Sequence, residues 1–325
     1  MSGQAQSVSS GVLNDVTTWH MDASATDSGV LTFANGTSGS VQLVWIDRTG
    51  KQVGIAVENL QNLEFARLSP QGDRVAVMLD KGIADIWTLD LARGVRTRLT
   101  FGPVSNIYPV WSSDGKWVAY ASLRAGTRSV YRKPADGGGA EEMLVSDAAS
   151  EVLILSDWSR DGKTLFYSTG LQTGDQTIWA LPLEGERKLR LVAEHAVGAT
   201  LSPNGRWLAY TLLSGQADVY VVAYGGGEGK WQVSPNGGQV PQWSKDGKEL
   251  YYLDGEQSIV AVPVKDLGNT LEFGARQTLI SQWTVLSTPF YSVFPDGQKL
   301  LMERVSQQVS QPLTVVTNFT AQLRK

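Results

Sequence analysis

The sequence predicts an all-β chain folded as a seven-bladed β-propeller of four-stranded antiparallel blades. Two observations carry that prediction. A turn phrase recurs at a period of about 43 residues, and the stretches between turns break into short β-branched and aromatic runs. Helical spacing of apolar residues is scarce throughout.

The turn copies are Ser69-Pro70-Gln71-Gly72, Ser112-Ser113-Asp114-Gly115, Ser159-Arg160-Asp161-Gly162, Ser202-Pro203-Asn204-Gly205, Ser244-Lys245-Asp246-Gly247 and Phe294-Pro295-Asp296-Gly297, with a degraded copy at Thr26-Asp27-Ser28-Gly29. Gly29, Gly72, Gly115, Gly162, Gly205, Gly247 and Gly297 therefore mark seven repeats. Glycine permits the positive φ of a tight turn, and the neighbouring Asp or Asn side chain bonds nearby amides. Around Gly115 four strands can be parsed: Tyr108-Pro109-Val110-Trp111, Trp117-Val118-Ala119-Tyr120, Ser129-Val130-Tyr131-Arg132-Lys133 and Glu142-Met143-Leu144-Val145. A four-stranded meander at this period is a propeller blade, which must stack on neighbours and close into a ring. The last repeat offers Tyr291–Val293, Lys299–Met302 and Leu313–Val316, and lacks an outer strand. Residues from Ser7 to Leu13 are expected to supply it, so that the final blade is shared between the termini. A six-bladed ring, with the degraded first repeat extraneous, is the alternative.

The chain has 325 residues, read as one propeller domain over 1–325. Lys plus Arg number 28 against 32 for Asp plus Glu, and the net charge of −4 argues against nucleic acid as a partner. The absence of cysteine excludes disulfides, thiolate metal sites and cysteine nucleophiles. No run reaches the roughly 18 apolar residues of a membrane helix, so no membrane insertion by this segment is expected. Residues Met1 to Ser7 lack the features of a signal peptide.

No reactive constellation stands out. His20 and His195 belong to repeats on opposite sides of the ring, so no metal site and no cofactor are expected. Gly225 to Lys230 superficially resembles a phosphate loop, but a strand follows it and the lysine lacks a Ser or Thr after it. The turn carboxylates repeat in blade after blade, and the tryptophans recur at fixed positions, as packing requires. A ligand is expected instead at the mouth where inner strands begin, among positions that differ between blades: His20, Asn62, Asn106, Glu151, His195 and Gln239.

The repeated turn followed by an apolar strand resembles the TolB-like, WD-repeat-like propellers of bacteria. Gln42 to Gly50, Asp85-Ile86-Trp87 with Arg98 to Phe101, Lys248 to Tyr252 and Leu313 to Phe319 further resemble seven-bladed propellers attached to bacterial membrane Ser/Thr protein kinases. No kinase segment is present, with neither a lysine-bearing Gly-rich strand pair nor a His-Arg-Asp loop. The resemblance implies a non-catalytic sensor or protein-interaction domain of a larger signalling protein, taking a protein, a peptide or a small polar ligand. It implies an extracytoplasmic, periplasmic location if the chain is joined to a membrane kinase, and a cytoplasmic one otherwise. The alternative function is a metal-dependent propeller hydrolase or lactonase acting through Glu151, His195 and His20 in the channel.

Overall fold

The repeated turn builds itself from its own side chains. In Ser112-Ser113-Asp114-Gly115 the Ser112 hydroxyl donates to Asp114 Oδ1 at 2.7 Å and accepts the Trp117 amide at 2.9 Å. Asp114 Oδ1 in turn accepts the Lys116 amide at 3.0 Å. Gly115, at a φ of 69°, donates its amide to the Ser112 carbonyl at 2.9 Å. The same web recurs at Ser159/Asp161, Ser202/Asn204 and Ser244/Asp246. The serine hydroxyl, followed by a backbone amide, holds the carboxyls of Asp114 and Asp246 below the usual range. In the Gly72 turn Gln71 stands in the acidic position, and Asp73 takes the Ser69 hydroxyl instead, at 2.7 Å.

Each turn joins the first two strands of an antiparallel sheet. The computed structural model describes residues 14–15, 20–21, 23–26, 30–34, 40–124, 127–147, 153–170, 175–283, 291–306 and 313–317. Within these, six blades run in order around a channel. The first blade comprises Leu63–Leu68, Arg74–Asp80, Ala84–Asp90 and Arg96–Arg98. The second comprises Asn106–Trp111, Trp117–Arg124, Thr127–Pro134 and Glu142–Asp147, and the third Leu153–Trp158, Thr164–Thr169, Thr177–Pro182 and Arg190–Glu194. The fourth comprises Ala196–Leu201, Trp207–Leu212, Asp218–Ala223 and Lys230–Gln232. In the fifth, Gly238–Trp243, Glu249–Asp254 and Ile259–Asp266 are followed by two short outer strands, Leu271–Phe273 and Gln277–Ile280, which both pair with the third strand. Gly225 to Gly229 lies in the hairpin before the outer strand of the fourth blade, which Lys230 opens, and no helix among the described residues is long and apolar enough to cross a membrane.

The closing blade corrects the expected count from seven to six. Its inner strands, Tyr291–Val293 and Lys299–Val305, come from the C-terminal part of the chain, and its outer strands, Val41–Asp47 and Gln52–Leu60, from the N-terminal part. Register runs from Lys299 opposite Asp47 to Val305 opposite Val41. Both parts of the chain thus share this blade, two strands each. Once Val41–Leu60 fills the outer half, the strands upstream of it have no place in the ring. Ala23–Ala25 and Val30–Ala34 form a separate three-stranded sheet with Leu313–Thr317, the segment expected to be the last repeat's third strand. Residues 7–13, the expected outer strand, lie outside the described residues, as does Gly29.

The core lies between blades. Second strands are buried on both faces, and successive residues serve opposite neighbours. Val75 and Val77 pack with Leu43 and Leu301 of the closing blade, whereas Ala76 and Met78 pack with Val118 and Tyr120 of the second blade. Phe166 and Tyr167 divide in the same way, toward Leu208 and Val130 respectively. Each such side chain contributes about 1.5–3 kcal/mol when fully buried, so a blade removed from its neighbours loses stabilisation on both faces at once.

One polar residue sits within this apolar packing. Glu303 follows Leu301 on the same face of its strand, is buried, and has no hydrogen-bond partner for Oε1 among the described atoms. Burial, with the Glu64 charge as a second cause, pushes its carboxyl up to about 8. The folded chain therefore keeps a proton that the unfolded chain releases in the ordinary carboxylate range. Stability contributed by the protonated form is complete below that range and is lost as pH rises through about 8, at up to about 1.4 kcal/mol per pH unit. Glu303→Gln, which removes the titration, is expected to flatten the fall of the melting temperature between mildly acidic and mildly alkaline pH. It is also expected to raise the melting temperature most at the alkaline end. Thermal melts across that range check this, and an unchanged pH dependence would contradict it.

Candidate binding site in the central channel

Five residues before each turn glycine, the inner strand presents one side chain toward the axis. Around the ring these are Arg67, Val110, Asp157, Thr200, Gln242 and Ser292, and all six line a cavity of about 480 Å³ at the turn end of the channel. Strand and turn are fixed by the repeat, yet this one position carries a different residue in every blade. Just outside it, the residues that follow the first turn residue form a rim of Pro70, Ser113, Arg160, Pro203, Lys245 and Pro295.

The inner strands are tied to one another by these side chains and by the adjoining tryptophans. The Leu68 amide donates to Ser292 Oγ at 3.2 Å, and Trp111 Nε1 donates to the Arg67 carbonyl at 2.9 Å. Asp157 accepts the Leu201 amide at 2.7 Å, joining the third blade to the fourth, and Trp243 Nε1 donates to the Thr200 carbonyl at 3.2 Å, joining the fourth to the fifth. Gln242 Nε2 donates to the Tyr291 carbonyl at 2.6 Å while its Oε1 accepts the Val293 amide at 3.3 Å, completing the circuit to the closing blade. Val110 supplies no polar group in the second blade, and there Arg67 reaches past it to the Ser156 carbonyl of the third, at 3.4 Å.

Two opposite charges face this enclosed space. Burial raises the Asp157 carboxyl above its ordinary range, against the Leu201 amide and the Arg67 charge, which lower it. Burial likewise draws the Arg67 guanidinium down, against the Asp157 charge. At the rim, burial lowers Arg160, opposed by Asp157 and Asp246. Arg67, Arg160 and Lys245 thus face Asp114 and Asp157 across the lining, a cationic balance in a chain whose net charge is −4.

Of the positions singled out from sequence, Asn62, Asn106, His195 and Gln239 lie at the opposite end of the inner strands, and none of these four lines this cavity. Asn62 and His195 take left-handed backbone conformations, φ 59° and 53°, where the chain turns into an inner strand. Their carbonyls accept the amides of Asp80 and Leu213, at 2.9 and 2.7 Å. Asn106 is buried and donates Nδ2 to the Val104 carbonyl at 3.0 Å, while Gln239 is half-buried in the fifth blade's inner strand. His20 lies in a two-residue strand, Asn14–Asp15 pairing with His20–Met21, away from the six blades. Glu151 and the side chain of His20 lie outside the described residues. Among the described residues no group of three or more His, Asp or Glu side chains converges as a metal site would require. The ring at the turn end lies within strands, not in the loops where sequence variation is expected. Its signal was in the sequence nonetheless, at a fixed offset of five residues from each turn glycine.

A sequence profile of the TolB beta propeller domain matches residues 23–240. An uncharacterized protein of Agrobacterium fabrum is 38% identical over 64 residues, a match spanning 20% of this chain and 22% of that protein's length. Among solved structures, a TolB-type protein from Agrobacterium tumefaciens has a TM-score of 0.63 at 18% identity, covering 83% of this chain and 100% of that one. TolB from Acinetobacter baumannii has a TM-score of 0.55 at 14% identity, covering 80% of each. An oligogalacturonate lyase from Vibrio parahaemolyticus has a TM-score of 0.56 at 13% identity, covering 86% of this chain and 95% of that one. At these identities the structural likeness concerns the fold alone.

Asp157 is the clearest structural member of the ring, because its carboxylate ties two blades together. Asp157→Ala leaves the Leu201 amide without that acceptor and is expected to cost about 1–3 kcal/mol, read as a lowered urea midpoint. Asp157→Asn, which keeps one acceptor oxygen, is expected to cost less. A midpoint unmoved by the alanine variant would show that the carboxylate does not hold the third and fourth blades together.

Proposed function

The chain belongs to the TolB beta propeller family, and from that premise we propose that it is a non-catalytic binding propeller whose turn-end channel receives a segment of a protein or peptide. The observation that carries this reading is the ring of Arg67, Val110, Asp157, Thr200, Gln242 and Ser292. A position needed only for folding repeats its residue from blade to blade, as the turn serines do. A position that faces a cavity and differs in each blade is shaped by what enters. Rigid inner strands hold these side chains in place before binding, which reduces the ordering cost of association.

The resemblance to kinase-linked propellers supports a sensor or scaffold role within a larger bacterial signalling protein. The other mouth, where Asn62, Asn106, His195 and Gln239 lie and to which the sequence reading adds His20 and Glu151, is the second candidate surface, suited to a small polar ligand or a further stretch of the same partner. The lyase among the structural neighbours keeps an enzymatic alternative in view, a metal-dependent hydrolase or lactonase acting through Glu151, His195 and His20.

Selection of a displayed peptide library against the whole chain separates these readings. Selected peptides are expected to lose affinity about tenfold when Arg160 and Lys245 are both replaced by alanine, and to keep it in Asn62→Ala or Gln239→Ala. Affinity that follows the second pair moves the site to the other mouth. One stoichiometric divalent ion in the purified protein, lost in His195→Ala, would overturn the non-catalytic reading.

A further inference from the structure

Arg67 differs from the ion-paired arginines of the chain in how its charge is met. Arg48, Arg98, Arg132 and Arg206 each hold a carboxylate oxygen 2.5–2.7 Å away, on Glu249, Asp85, Glu142 and Asp266. Arg124 is likewise paired with Glu141. These pairs lie near the surface, where water also solvates the ions and a pair contributes little. Arg67 lies inside the channel, half-buried, where a charged group loses part of its hydration and gains from a partner. Its Nε is removed from solvent and has no hydrogen-bond partner, and its Nη2 makes one long bond, 3.4 Å, to the Ser156 carbonyl.

The carboxylate across the channel does not meet this need. Asp157 is turned to its own side of the ring, accepting the Leu201 amide at 2.7 Å, the Trp158 amide at 2.9 Å and the Thr200 hydroxyl at 3.4 Å. No direct ion pair joins it to Arg67 among the described contacts. The Arg67 guanidinium is meanwhile held in place, 5.2 Å over the Phe65 ring. A guanidinium whose Nε is unpartnered and whose Nη2 makes one long bond therefore lines a cavity of about 480 Å³, whose mouth carries Arg160 and Lys245.

We propose that Arg67 is the anchor of a carboxylate subsite inside this channel, filled by an acidic side chain or by the C-terminal carboxylate of a bound peptide. The inference rests on the reading that the channel receives such a segment, and adds which chemical group leads it. A planar carboxylate matches the fork formed by Nε and one Nη, whose paired hydrogen bonds are the strongest an arginine makes. The rim cations attract an anion toward the mouth, and the buried donors reward a carboxylate and penalise a neutral amide of the same shape. Asp157 opposes the same anion through space, so the subsite takes one carboxylate and discriminates against a dense cluster of negative charge.

The test uses three capped tripeptides titrated into the whole chain, with tryptophan fluorescence and calorimetry as readouts. One is acetyl-Gln-Glu-Gln-amide, one is acetyl-Gln-Gln-Gln-amide, and one is acetyl-Gln-Gln-Gln with a free C-terminal carboxylate. At least one carboxylate peptide is expected to bind about tenfold tighter than the neutral one, and whichever it is names the source of the group. Arg67→Met is expected to abolish the difference, Arg67→Lys to restore part of it, and Asp157→Asn to enlarge it. Should Arg67→Met fail to fold, the proton–nitrogen signal of the Arg67 Nε–H in the unaltered protein is expected to shift on adding glutarate. Equal binding of neutral and carboxylate peptides overturns the subsite and leaves the channel as a binding site. Equal loss in Arg67→Met for both kinds of peptide, an Nε–H signal unmoved by glutarate, or a stronger response to inorganic phosphate than to glutarate also overturns it.

Discussion

Everything in this molecule depends on closing the ring. Each second strand is buried on both faces, so Val75 and Val77 need the closing blade as much as Ala76 and Met78 need the second. No blade can be satisfied at an open end. The closing strands, Lys299–Val305 against Val41–Asp47, convert a row of sheets into a circle by pairing parts of the chain more than two hundred residues apart. Around the channel the same circuit is completed by smaller ties, through Ser292, Trp111, Arg67, Asp157, Trp243 and Gln242.

Closure also explains where individuality is permitted. The turn web of serine, Asp or Asn, and glycine is needed identically in nearly every blade, so those acidic groups are structural. The side chain five residues earlier faces the axis and packs against no neighbouring sheet in a repeated way. That position is released from the repeat, and it is where Arg67 and Asp157 introduce charge into an otherwise uncharged ring. On the proposed binding reading, specificity is carried by this small set of inward-facing residues, with the turns as scaffold.

The fold was largely legible in the sequence because its determinants are local. Turn chemistry, strand composition and period are properties of contiguous residues, and they identified the propeller, its four-stranded blades and a last blade shared by both parts of the chain. The blade count was not, because it depends on which distant strands pair. By period alone the degraded copy near Thr26 is a seventh repeat. Whether Leu313–Thr317 continues the last blade or pairs with Val30–Ala34 is a matter of long-range register that no local pattern encodes. The channel ring is marked in the sequence only by its offset, since Arg67 and Asp157 sit within strands and resemble ordinary alternating polar residues. Glu303 was unreadable for a related reason: on a strand that looks half-exposed, nothing local announces that its face meets another blade.

A cross-link tests the closure most directly. Ser40 and Ser306 flank the closing strands, their hydroxyl oxygens 2.6 Å apart and the Ser306 amide bonded to the Ser40 carbonyl at 2.9 Å. The chain has no cysteine of its own. In the double variant Ser40→Cys with Ser306→Cys, mild oxidation of the folded protein should therefore form a single intramolecular disulfide in nearly every molecule, and raise its resistance to urea. Two thiols that remain free in the folded protein would contradict a ring closed by Val41–Leu60.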